Sequence, residues 1–119
     1  MADNLVIEVN DSILRTVRKM IGPSHDCDVF DVDLISHINT IFSTLNQLGV
    51  GPKEGYEITG ETETWSDFIG SDKRFNAVKS YMYLKTKLLF DPPASSVVLA
   101  SMEKLALECE WRLNVNAES

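Results

Sequence analysis

The residues with the most chemistry in them are His25, Asp26, Cys27 and Asp28, four adjacent side chains that can each ligate a metal, with His37 a few turns later. Zinc sites combine such a run with a second ligand pair at set spacing, and none follows here. His37 sits at the edge of an apolar face, the place of an ordinary hydrogen-bonded histidine. The string GVGPKEG (Gly49 to Gly55) has the glycines of a phosphate loop but not the lysine followed by serine or threonine. No serine lies in a nucleophile-elbow context. Carboxylates are paired at Glu103 with Glu110 and at Glu61 with Glu63, on patterns that predict exposure, and an exposed carboxylate titrates normally and makes a poor general acid. The expectation is a protein without catalysis, metal or cofactor.

Charge narrows the partners. The net charge of -7 opposes binding of nucleic acid by phosphate neutralisation, which needs a surplus of lysine and arginine on one face. It is unevenly spread: Lys73, Arg74, Lys79, Lys85 and Lys87 cluster after a first half whose only cations are Arg15, Arg18, Lys19 and Lys53. Such polarity suits self-association of an acidic face with a basic one. Cys27 and Cys109 have neither knuckle nor redox spacing and are expected as free thiols in a reducing compartment. A chain of 119 residues is sized for one domain, residues 1–119, and the acid-studded first thirty residues predict neither a signal peptide nor a membrane span.

The elements that must position any site read as helices. Ile13, Leu14, Val17, Met20 and Ile21 share one side of a short helix capped by Asp11 and ended by Gly22 and Pro23. Asp28 or Asp31 caps a second, with Leu34, Ile35, Ile38, Ile41, Phe42, Leu45 and Leu48 inside and Gly49 as the stop. Residues 49–70 break the pattern, and YEITGETETW alternates around Gly60, which predicts a small β hairpin or an ordered loop. A third helix opens at Ser71 or Asp72 and runs to about Phe90. Its wide apolar sector (Phe75, Ala77, Val78, Tyr81, Met82, Leu84, Leu88, Leu89) implies more than one neighbour. Pro92 and Pro93 stop it, Ser95 or Ser96 caps a fourth helix, and the two fold back on each other. The fourth helix carries a core stripe of Val98, Met102, Leu105, Ala106, Cys109 and Leu113. The predicted fold class is all-α, a small bundle of four main helices with an inserted loop or short β hairpin between the second and third.

Two features do not fit a simple core. Ala100, Leu107 and Trp111 form a second apolar stripe on the fourth helix, and Arg74 and Lys85 project through the apolar sector of the third. Large aromatics and long cations of this kind either meet a partner protein or are covered by the first helix or the 49–70 segment.

The strings ILRTVRKMIG, HINTIFSTLNQLGVGP, SYMYLKTKLLFDPP and MEKLALECEWRLNV, in this order between about Ser12 and Val115, resemble the head-tail connector proteins of long-tailed phages and prophages of Gram-positive bacteria, also called head-completion or adaptor proteins. The resemblance implies a small helical virion protein, made in the host cytoplasm and located at the head-tail junction. It implies a homo-oligomeric ring under the portal protein, taken as dodecameric there and as monomeric when free, that prolongs the DNA channel and docks a stopper or tail-completion protein. Double-stranded DNA would pass through without specific binding, since an acidic lumen repels phosphate, and no membrane is involved. On this reading Arg74, Lys85, Lys87, Leu107, Trp111 and Arg112 are candidates for the ring interface, meeting an acidic neighbouring surface through a heterologous contact. Tyr56, Ile58, Trp65 and Phe68 are candidates for a loop that orders against the portal or the neighbour. Two other readings stay open: a small acidic helical regulatory module that binds a host protein, and a metal-dependent hydrolase built on His25 to Asp28.

Overall fold

A computed structural model describes residues 12–21, 29–69 and 77–118. Ser12 opens the first helix, α1 (Ile13–Ile21): its hydroxyl accepts from the Arg15 amide at 3.4 Å and its carbonyl from the Thr16 amide at 3.0 Å. The expected cap, Asp11, and the stop at Gly22 and Pro23 lie outside the described residues, as do Asp28, Cys27 and the helix start at Ser71 or Asp72. Helix α2 (Asp31–Gln47) places Asp31 and Asp33 in its first turn, where carboxylates meet the positive end of the helix dipole. Leu34, Ile38, Ile41, Phe42 and Leu45 are buried as the spacing predicts. Gly49, with φ at 85°, turns the chain out, and the Val50 amide donates back to the Leu45 carbonyl at 2.9 Å.

The segment after Gly49 corrects one expectation: among the described residues there is no β hairpin. Its backbone groups bond to side chains instead of to an opposing strand. The Asn39 side chain donates to the Ile58 carbonyl at 3.0 Å and accepts from the Ile58 amide at 2.7 Å. The Glu63 carboxylate accepts from the Thr59 amide and hydroxyl and the Gly60 amide at 2.8 to 3.3 Å. Among the described residues the pairing is a single antiparallel bridge between Ser12 and Thr64, where the Ile13 amide donates to the Glu63 carbonyl at 3.1 Å.

A short helix that the periodicity missed follows, α3 (Trp65–Ile69). Thr64 and Asp67 cap it reciprocally: the Thr64 hydroxyl accepts from the Asp67 amide at 3.1 Å, and the Asp67 carboxylate accepts from the Thr64 amide at 3.3 Å. Its effect is to bury Trp65 and Phe68.

The next helix is α4 (Ala77–Phe90), and α5 (Ser96–Glu118) follows the two prolines. Ser95 is the cap, accepting from the Val98 amide at 3.4 Å through its hydroxyl and from the Leu99 amide at 2.9 Å through its carbonyl. Thus the described residues form five helices rather than four. As its wide apolar sector implied, α4 packs against α1, α2 and α5. The shared core runs through Ile13, Ile38, Phe42, Trp65, Tyr81 and Leu113.

Periodicity overstated the core in places. Met20, Leu89, Val98 and Leu105 are exposed. On α5, Val98 and Leu105 come before the part of the helix that packs on the others. Only from Ala106 to Leu113 does it reach the interior. No helix among the described residues is long and apolar enough to cross a membrane.

Candidate interaction surface

Arg18 is the polar centre of the fold, although it faces the interior with 4% of its surface exposed. Its Nε and Nη2 donate to the two Asp31 oxygens at 2.8 and 2.6 Å, a bidentate fork, and Nη2 also meets Glu61 at 2.5 Å. One guanidinium thereby ties α1 to the start of α2 and to the 49–64 segment. The Asp31 hydrogen bond, acting against the cost of burial and assisted by Glu61, raises the Arg18 pKa still further. Nearby, Trp65 Nε1 donates to the Thr16 hydroxyl at 2.9 Å.

These ties decide the fate of the candidate contact loop. Ile58, Trp65 and Phe68, expected in a loop that orders against the portal or the neighbour, are buried in this chain's own core. Tyr56 is half-buried, its ring 5.2 Å from Phe42 and 5.3 Å from Phe68. The cause is that an irregular segment of this length needs apolar side chains to hold it down, and these four supply them.

The two α4 cations named as interface candidates are also engaged internally. Lys85 lies 4.0 Å from Glu110 on α5, and Lys87 pairs with Asp91 at 2.8 Å. Arg74 lies outside the described residues, as does the His25 to Asp28 cluster. Among the described residues no group of three histidine, cysteine or acidic side chains could hold a metal. His37 is half-buried, its ring 6.3 Å from that of Phe90.

Helix α5 is different. Leu107 and Trp111, one turn apart, are 65% and 69% exposed, and Ala100, Lys104, Glu108 and Arg112 are exposed beside them. The opposite side of the same helix carries the buried Ala106 and Leu113. It is fixed in rotation by the Tyr81 hydroxyl, which donates to Glu110 at 2.9 Å, and by Asn114, whose amide donates to the Leu48 carbonyl at 3.2 Å. Burial and that acceptor push the Tyr81 phenol well above its usual range, so it remains a donor. Burial likewise pushes up the Cys109 thiol, despite Arg112, which makes it a packing residue rather than a reactive one. Among the described residues neither α1 nor the 49–69 segment covers Leu107 or Trp111.

The sequence reading singled out this stripe but missed the Arg18 tie and the α3 cap. The cap had a signal, threonine three residues before aspartate; Arg18 had none, since its partners are 13 and 43 residues away in the chain. An exposed tryptophan and leucine on a rotationally fixed helix, without any described catalytic or metal constellation, are what a protein-binding surface offers. No curated protein and no solved structure matches the chain. A sequence model of the family described as phage connector protein matches residues 13–119, and the chain belongs to that family.

Proposed function

We propose that the chain, as one helical domain, is a non-enzymatic structural protein of the virion. It assembles as a ring under the portal, twelve copies on a twelvefold portal, extends the DNA channel, and docks a stopper or tail-completion protein. The observation that carries this reading is the uncovered Leu107 and Trp111 stripe on the longest helix of a chain in the connector family. A ring of identical subunits needs one face that meets a different face of the next copy, and a flat rigid helix surface with a large aromatic at its centre suits that contact.

The excess of acidic residues fits passage of DNA. A net charge of -7 per subunit repels phosphate, where a basic lining would hold it by counterion release. Because Lys85 and Lys87 already have carboxylates in their own chain, the ring contact rests on Leu107, Trp111 and Arg112 more than on these two lysines. The 49–64 segment supports the surface by fixing the subunit's interior; the part of it left for a portal or neighbour is the accessible edge of Tyr56 and the polar residues around it.

Electron microscopy of particles made with this gene interrupted tests the reading. Separate heads and tails, with heads that have lost DNA, are expected. Normal tailed, infectious particles would overturn it.

A further inference from the structure

The outer side of α5 carries two adjacent rows at one-turn spacing. One runs through Glu103, Leu107 and Trp111, the other through Lys104, Glu108 and Arg112. All six side chains are exposed, and all but Glu103 line one shallow recess. Among the described residues none of the four charged ones pairs with an opposite charge in its own chain. Glu108 and Arg112 stand apart even though they have the spacing that ordinarily joins an acid and a base along a helix.

An apolar row beside a row that alternates in charge is complementary to its own reverse. A second α5 is turned end for end about a two-fold axis level with Cys109. Its Trp111 then falls opposite Leu107 and its Leu107 opposite Trp111, because both lie two residues from the axis. The same operation keeps the charged rows on one side of the seam. Glu108 of each copy then lies within two residues, about 3 Å along the seam, of Arg112 of the other. Glu103 and Lys104 stand one turn outside this overlap, at its rim. A parallel pair would instead set Glu108 on Glu108 and Arg112 on Arg112.

We infer that the free chain pairs through α5 with a second copy, antiparallel and two-fold, with Trp111 on Leu107 and Glu108 on Arg112 in both directions. The inference goes beyond the ring reading and does not rest on it. Where the ring forms as well, the pair gives it a control: a two-fold contact stops at two, so a subunit away from the portal has its tryptophan covered and cannot string into open chains. Ring closure then requires the pair to open. One helix face per copy buries less than the roughly 1,200 Å² of a stable interface, so the pair forms only at roughly 10–100 µM and above and is absent from dilute solution.

Sedimentation equilibrium of the purified full chain tests it, from about 5 to about 500 µM, with reductant and about 0.15 M salt to screen the net charge of -7. The average mass is expected to rise from one chain to two and stop, and that of Trp111→Ala to stay at one. A parent that remains monomeric, that grows past two, or whose pairing survives Trp111→Ala unchanged would overturn the inference.

Charge variants test the register. Glu108→Arg sets arginine against arginine and Arg112→Glu sets glutamate against glutamate, so each is expected to weaken self-pairing roughly tenfold or more. An equimolar mixture of the two variants is expected to pair again, since every contact between unlike chains is then arginine on glutamate. Singles that pair as the parent does, or a mixture that pairs no better than the singles, would overturn it. Particle yield with the gene interrupted decides the ring reading separately, whichever way the pair falls.

Discussion

Replacement of Arg18 by alanine is the sharpest test of how the subunit holds its shape. The substitution removes the two bonds to Asp31 at 2.8 and 2.6 Å and the contact with Glu61 at 2.5 Å. It also empties the space of a side chain that is 4% exposed. Breaking a buried ion pair by deleting one partner costs about 3–5 kcal/mol. Here the carboxylates left behind, with side chains 23% and 42% exposed, regain water, which places the loss at the low end, about 3 kcal/mol. With a urea dependence of roughly 1.5 kcal/mol per molar for a domain of this size, the midpoint should fall by about 2 M. The assay is urea unfolding followed by Trp65 emission in a Trp111→Phe background, so that only the buried tryptophan reports. Arg18→Lys keeps the charge but not the planar fork, and should recover less than half of the loss. A decrease below about 1 kcal/mol for Arg18→Ala would refute the reasoning, because it would place the guanidinium among ordinary surface pairs.

Glycine geometry and one carboxylate give further expected outcomes. A Cβ at Gly51, where φ is 88°, would meet the Phe68 ring at Cε1 and, at 2.7 Å, at Cζ, whereas one at Gly60 would meet nothing. Gly51→Ala should lower stability by about 2 kcal/mol or more and Gly60→Ala by less than about 0.5, measured by thermal melting. Burial alone would raise the Glu63 carboxyl, but hydrogen bonds from Thr59 and the Gly60 amide outweigh it and hold its pKa below the usual 4.5. A folded-state value below the unfolded one means that the contribution is full above pH 4.5 and is lost as pH falls through the lowered value. Glu63→Gln should therefore be less stable than the parent at neutral pH and converge on it in acid, in urea midpoints taken across that range.

The helices were legible in the sequence because most of their burial follows from local spacing. Leu34, Ile38, Ile41, Phe42 and Leu45 repeat at three and four and are buried as expected. Ser95 and the two prolines likewise act within a few residues of themselves. The 49–64 segment was not legible for the opposite reason. Its alternation around Gly60 suggested strands, yet its backbone partners are Asn39, Glu63 and Ile13, and only the packed fold brings the first and last of these near. For the same reason Ile58, Trp65 and Phe68 looked available to a partner and are core. Leu107 and Trp111 could be singled out as a stripe from their spacing, but whether anything covers them depends on where α1 and the irregular segment end.

The account depends most directly on the Leu107 and Trp111 face serving assembly and not folding. Trp111→Ala, tested by supplying it to cells with the interrupted gene, separates the two. The side chain is 69% exposed, so the purified variant should unfold within about 0.5 kcal/mol of the parent. Tailed particles should nevertheless be lost, leaving heads without tails in electron micrographs. A variant that folds as the parent does and yields normal tailed, infectious particles would contradict the account.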